Sequence, residues 1–301
     1  MYDVIVIGGS FAGLSAALQL ARARRRVLVI DGGRRRNRFA SHAHGFLTQD
    51  GRPPGEIAAI GRQQLLRYPS VAWVEGDVLQ AQRRGDGGFS FATGTEVYTS
   101  TSAVLALGVS DTVPGIPGLE ERWGRSVFIC PYCDGYELGD GPIGVIGMSP
   151  MSVHHALMLP DWGKTTFFLN GHVEPTAEEL AHLARRGVKL EKTPITHIAG
   201  DRADVHLADG RVVAMKGLFT ATKTSPTSDI AQQLGCKMEE GPAGPFIKTD
   251  SPHVVEVLGI VDVEDCCAAA ESMTCGTGPS TRQSAPSTRV IRCPVRRSLS
   301  P

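Results

Sequence analysis

The 301-residue chain has no net charge: 31 lysines and arginines offset 31 aspartates and glutamates. It therefore exerts no global electrostatic pull on nucleic acid or an anionic membrane, and neither is expected as a partner. Long apolar runs are missing as well. Nothing approaches the roughly 20 residues that a membrane-spanning helix needs. The stretch DVIVIGGSFAGLSAALQL is apolar, but it opens on Asp3, has no Lys or Arg before Arg22, and is interrupted by glycines. A secretory leader begins on basic residues, so the expectation is a soluble, cytoplasmic protein. Heptads and repeats of solenoid length are also absent.

Cysteine is sparse. The seven are Cys130, Cys133, Cys236, Cys266, Cys267, Cys275 and Cys293. An odd number at irregular spacing argues against a structural disulfide framework. After Glu271 there is neither an acidic nor an aromatic residue, and Ser, Thr, Pro and Arg dominate. Such a composition buries too little apolar surface to offset chain entropy, so residues 276–301 are expected to be a disordered tail.

What is present is a repeated α/β pattern. DVIVI at 3–7 reads as a buried strand, 11–23 as a helix with an apolar stripe, and RVLVID at 26–31 as a second buried strand. Strand–helix–strand over this length is a right-handed βαβ unit in a parallel sheet. A helix at 55–67 and short strands within 71–108 follow, and 110–126 reads as a linker. A second cycle begins at PIGVIG (142–147), with helices at 150–160 and 174–186. Further strands are expected at 165–170, 188–192, 204–207 and 212–219.

Two segments carry chemistry. Gly8-Gly9-Ser10-Phe11-Ala12-Gly13 follows a strand and opens a helix. Gly8 permits the tight turn, Gly13 lets helix and strand approach, and a pyrophosphate would sit on the helix N-terminus. Ser10 stands at the middle glycine of GxGxxG and is small. Asp31 ends the second strand, where an acid accepts from ribose hydroxyls. The bland alternative is a glycine-rich turn without a ligand. The second segment is Cys130-Pro131-Tyr132-Cys133-Asp134-Gly135. A CxxC at a helix start holds two sulfurs within reach of one disulfide and favours the thiolate. Asp134 is a candidate proton carrier if desolvated. Half a zinc site and inert buried cysteines are the alternatives. Zinc needs two more ligands at usable spacing, so no metal is expected.

IVIGGSFAGLSAA, ALGVSDTVPGIPG and CPYCDGYE together resemble the low-molecular-weight thioredoxin reductase family. HGFLTQDG at 44–51 is similar to the segment near the flavin in its gliotoxin-type dithiol oxidase branch. The resemblance covers roughly residues 2–250. It implies an α/β fold of two Rossmann-like, three-layer ββα domains. An FAD domain at 1–114 and 241–275 would be discontinuous, interrupted by an NAD(P)-like domain at 115–240 that carries the CxxC. It implies FAD as cofactor, held by Gly8, Gly9, Ser10, Phe11, Ala12, Gly13, Asp31, Gly45, Asp50 and Asp265. Cys133 would face the flavin, Cys130 would exchange with substrate, and Asp134 would act as acid–base. The implied partner is a small-molecule dithiol or disulfide, or a small redox protein, with the chain as a homodimer.

Two departures bear on function. The loop Gly147-Met148-Ser149-Pro150-Met151-Ser152 keeps one glycine where NADPH needs a fingerprint. No Arg follows the next strand, which ends Phe168-Leu169-Asn170-Gly171-His172. His154 and His155 read as helix surface or packing. In Gly259-Ile260-Val261-Asp262-Val263-Glu264-Asp265, Asp262, Val263 and Glu264 stand where the family has two alanines and a glycine. Glu264 would set a negative charge beside a pyrophosphate. The expectation is a dithiol oxidase that passes electrons through FAD to oxygen. The alternatives are a disulfide reductase fed by NADPH or another donor, and a flavin-binding redox sensor without turnover.

Overall fold

The computed structural model describes residues 1–248. The first sheet has six strands. They are β1 (Tyr2–Ile7), β2 (Val27–Asp31), β3 (Val71–Glu75), β4 (Gln80–Arg83), β5 (Phe89–Ala92) and β6 (Val97–Leu105), in the order β3-β2-β1-β6-β5-β4. The members from β3 to β6 run parallel, and β4 and β5 extend the sheet antiparallel. Parallel strands are covered on both faces and so read as unbroken apolar runs; Ile5, Val6, Val27, Leu28 and Val29 are fully buried. Helix α1 (Phe11–Arg22) lays Leu14, Ala16, Ala17, Leu20 and Ala21 against this sheet, and α2 (Pro54–Leu65) packs beside it.

The chain leaves through β7 (Val109–Thr112) and builds a second unit. It comprises β8 (Val127–Phe128), α3 (Pro131–Asp134), β9 (Pro142–Ile146), α4 (Met151–Met158), β10 (Lys164–Phe168), α5 (Ala177–Arg185) and β11 (Lys189–Glu191). A three-stranded antiparallel sheet of β12 (Ile195–Ala199), β13 (Ala203–Leu207) and β14 (Val212–Met215) precedes β15 (Gly217–Thr220). The central sheet is wholly parallel, β11-β10-β9-β15-β8. Val153, Ala156 and Leu183 of the helices cover one face. Ile198, Val205, Leu207 and Met215 join a core with Ile146, Phe168 and Leu218 on the other. The fold is therefore α/β with two Rossmann-like layered units.

Strand β16 (Lys223–Pro226) pairs antiparallel with β7, so one two-stranded ribbon joins the units in both directions. Beyond it Ile230, Ala231 and Leu234 bury in the core of the first sheet. Gln233 Oε1 accepts the Ala81 N–H at 2.7 Å.

Three local expectations change. The stretch 110–126 is not wholly a linker, because its start is the tail of β7. The run 212–219 is two strands: β14 is largely exposed, while every residue of β15 is buried. Between them the Lys216 N–H donates to Pro142 O at 2.8 Å and turns the chain from one sheet to the other. Strand β12 was not expected, since of ITHIA only Ile198 is fully buried. The expected tail, the segment 259–265 with Asp265, and the cysteines beyond Cys236 lie outside the described residues. Among the described residues, no helix is long and apolar enough to cross a membrane.

The packing of α1 on β1 rests on Gly13. A Cβ there would lie 1.8 Å from Gly8 O. Gly13→Ala is expected to cost about 1–3 kcal/mol or more, as overpacking does, measured by urea unfolding. Ser15→Ala, on the exposed face of the same helix, should stay within about 0.5 kcal/mol of the parent.

Candidate active site

At the end of β1 the backbone turns sharply. The Gly8 N–H donates to Ile30 O at 2.8 Å, and the Ala106 N–H donates to Ile7 O at 2.6 Å. Gly8 has φ +97°, and a Cβ would stand 2.1 Å from Ala106 O. Ser10 is the N-cap of α1, and its side chain makes no capping bond. The N–H groups of the first turn thus have no side-chain cap, the arrangement that suits an anion. Asp31 lies beside this loop, and its Oδ1 accepts the Gly9 N–H at 2.9 Å.

The loop 43–52 closes on itself. The Ala43 N–H donates to Arg52 O, the Gly51 N–H to Ala43 O, both at 2.9 Å, and the Gly45 N–H to Asp50 Oδ1 at 2.8 Å. Phe46 meets Phe11 edge-on at 6.3 Å, which ties the loop to the start of α1. His44 Nδ1 lies 3.4 Å from Glu137 Oε1 and 3.7 Å from Asp50 Oδ1. One loop thus touches both the glycine turn and the segment that follows the CxxC.

Cys130 caps α3, with Pro131 at its first position, where a missing N–H costs nothing. The Cys133 N–H donates to Cys130 O at 3.2 Å. Cys130 is 4% exposed and Cys133 is half-buried. The order of exposure is the reverse of what a substrate-facing Cys130 would suggest. Tyr132 packs edge-on against Trp162 at 4.9 Å. Asp134, half-buried beside the pair, has its pKa pushed from 3.8 up to about 7. Burial is the largest cause, the Glu137 charge adds to it, and His44 opposes it.

FAD fits the first unit. Besides the uncapped turn, Trp73 Nε1 and Gln49 Oε1 are buried without a hydrogen-bond partner among the described residues. The Trp73 ring lies against Gly9, and Gln49 sits in the loop 43–52. A donor and an acceptor thus remain for a polar ligand beside Gly8, Gly9, Ser10, Phe11, Ala12, Gly13, Asp31, Gly45 and Asp50. The second unit differs. Ser152 is fully buried, and its Oγ accepts the Met148 N–H at 3.1 Å and the Ser149 N–H at 3.4 Å. The N–H groups that would face a dinucleotide phosphate are already bonded to the chain's own hydroxyl. After β10, Asn170 Oδ1 accepts the Ile195 N–H at 2.9 Å. His154 is exposed; His155 Nδ1 is buried without a partner among the described residues, and burial holds its pKa down.

His44, Glu137, Gln49 and Trp73 were not singled out from sequence. His44 and Gln49 lie in HGFLTQDG and Glu137 in CPYCDGYE, but nothing in one sequence links positions so far apart.

The family described as pyridine nucleotide-disulphide oxidoreductase matches residues 2–285. Thioredoxin reductase tcpT of Claviceps purpurea is 32% identical over 265 residues, covering 83% of this chain and 81% of that one. A relative from Arthroderma benhamiae is 32% identical over 268 residues; the match covers 78% of this chain and 66% of the relative. The crystal structure of an oxidoreductase from Agrobacterium tumefaciens superposes with a TM-score of 0.81 at 54% identity, covering 91% of this chain and 95% of that one.

The raised pKa of Asp134 has a stability consequence. A carboxyl held above its unfolded value contributes stability below the unfolded pKa, and this is lost as pH rises through the folded value. The window runs from about pH 4 to about pH 7. Asp134→Asn should therefore melt above the parent at pH 8, with the gap shrinking toward pH 5, as followed by circular dichroism.

Proposed function

We propose a direction of electron flow from one premise: the chain belongs to the pyridine nucleotide-disulphide oxidoreductase family and is an FAD-dependent thiol–disulfide oxidoreductase. In this reading it oxidises a dithiol to a disulfide, with oxygen as the final acceptor. The observation that carries it is Ser152, whose hydroxyl occupies the N–H groups a nicotinamide dinucleotide would need. Electrons then enter from the thiol side.

The residues divide the work. Asp134 takes the proton of the first substrate thiol, and that sulfur attacks Cys130 of the Cys130–Cys133 disulfide. The S–S bond breaks and leaves its electron pair on Cys133. The second substrate thiol, once deprotonated, attacks the mixed disulfide, releases the oxidised product and leaves Cys130 reduced. Bound FAD supplies a two-electron acceptor that oxygen can recharge, with peroxide as the product. The glycine turn and Asp31 would hold its phosphate and ribose, Gly45 and Asp50 would shape the facing loop, and Asp265 would be a further contact. The burial of Cys130 favours a slender dithiol over a folded protein substrate. The resemblance supports a homodimer, and the cysteine pattern supports a reducing, cytoplasmic setting.

The thioredoxin reductase description of the Claviceps purpurea relative favours a second reading, reduction of a disulfide at the expense of NADPH or another donor. Oxygen consumption with dithiothreitol separates them. The dithiol reading expects turnover that falls to background in Cys130→Ser and in Cys133→Ser, with both variants folded, and that persists in Cys236→Ser. Turnover that survives the double serine variant would place the site elsewhere.

A further inference from the structure

We propose that His44 is a proton-transfer and positioning residue for the dithiol site, linked to Asp134 through Glu137. This rests on the dithiol-oxidising reading above. The geometry crosses between the two units of the fold. His44 belongs to the loop 43–52, which Phe46 fastens to the start of α1. Its Nδ1 stands 3.4 Å from the carboxylate of Glu137, three residues beyond Asp134 on the CxxC segment, and 3.7 Å from Asp50. Asp50 in turn accepts the Gly45 N–H, which fixes the loop next to His44. Along this path the side chain of Glu137 is 41% exposed, that of His44 22% and that of Asp50 72%. The path therefore leads from a half-buried carboxyl to open solvent.

The chemistry requires such a path. Oxidation of one dithiol removes two protons and two electrons. The electrons are left on Cys130 and Cys133 when their disulfide breaks. Asp134 holds one proton at a time, so the proton from the first thiol must leave before the carboxylate can take the second. A half-buried carboxyl passes its proton to solvent more readily when a second carrier stands near. An imidazole is the side chain whose ordinary pKa suits that transfer near neutrality. Among the described residues, the charged groups that act on Asp134 are Glu137 and His44, with Cys130 and Cys133 on its own segment and Asp50 behind His44. Glu137 and His44 act on Asp134 in opposite senses.

Those opposed senses give the test. The carboxyl titration of Asp134 is followed by carbon-13 NMR of labelled aspartate, assigned by its loss in Asp134→Asn. The pH profile of kcat/KM for dithiothreitol oxidation is measured in parallel. His44→Gln should move the Asp134 midpoint up, and Glu137→Gln should move it down. His44→Ala should lose about tenfold in turnover, less than the roughly 10²–10⁴ that a general base itself contributes, and free imidazole should restore it. Midpoints that stay put in both variants, or a His44→Ala enzyme with parental turnover, would overturn the proposal. If the parent enzyme oxidises no dithiol while both midpoints move as stated, the coupling of His44 to Asp134 stands and the dithiol-oxidising reading falls.

Discussion

The site depends on one constraint: Asp134 is held where water reaches it poorly, beside two sulfurs. An ionised carboxylate in such a place is expensive, and the Glu137 charge raises the cost further. The group responds by titrating near neutrality, which is where a general base works best. The burial follows from local sequence. Pro131 starts a short helical turn at Cys130, the Gly135 N–H closes it on Pro131 O at 2.8 Å, and Tyr132 pins it to Trp162. Glu191 shows the opposite outcome within the same chain. It is less exposed than Asp134, yet the Arg211 guanidinium holds its pKa down at about 2. Burial with a cation holds a carboxyl's pKa down, and burial without a full counter-charge pushes it up.

The two Rossmann-like units put the same strand–turn–helix to different uses. In the first, close glycine contacts bring α1 onto β1 and leave the helix start without a side-chain cap. In the second, one hydroxyl from Ser152 folds back onto the loop and bonds two of its N–H groups. The fold is retained, because β9, β10 and β15 still bury Val145, Phe167 and Phe219 completely. The anion-binding property is not a feature of the fold but of which groups its turn leaves unpaired. The ribbon of β7 and β16 carries the chain between the units. It is clasped by Arg36, whose guanidinium grips Asp111 at 2.7 and 2.8 Å, with Thr222 bonded to the same carboxylate at 2.8 Å.

Much of this was legible from residues alone. The runs VIVI and VLVI read as buried parallel strands, and Gly8 to Gly13 read as a turn that opens a helix. The CxxC with Asp134 read as a redox segment. These signals are local and lie within a few residues of each other. The split of 212–219 at Lys216 was not legible, since an apolar run carries no mark of which sheet each half joins. Nor was the meeting of His44 with Glu137, which comes from how the loop 43–52 lies across the CxxC segment. The loss of glycines from the loop 147–152 was legible, but the two hydrogen bonds of Ser152 needed the backbone of the loop.

Anaerobic stopped-flow mixing tests the central claim most directly, followed at the flavin absorbance near about 450 nm. A dithiol should bleach the purified protein, air should restore the colour, and NADPH at about millimolar concentration should do neither, given the bonded loop at Ser152. Rapid bleaching by NADPH would contradict the account.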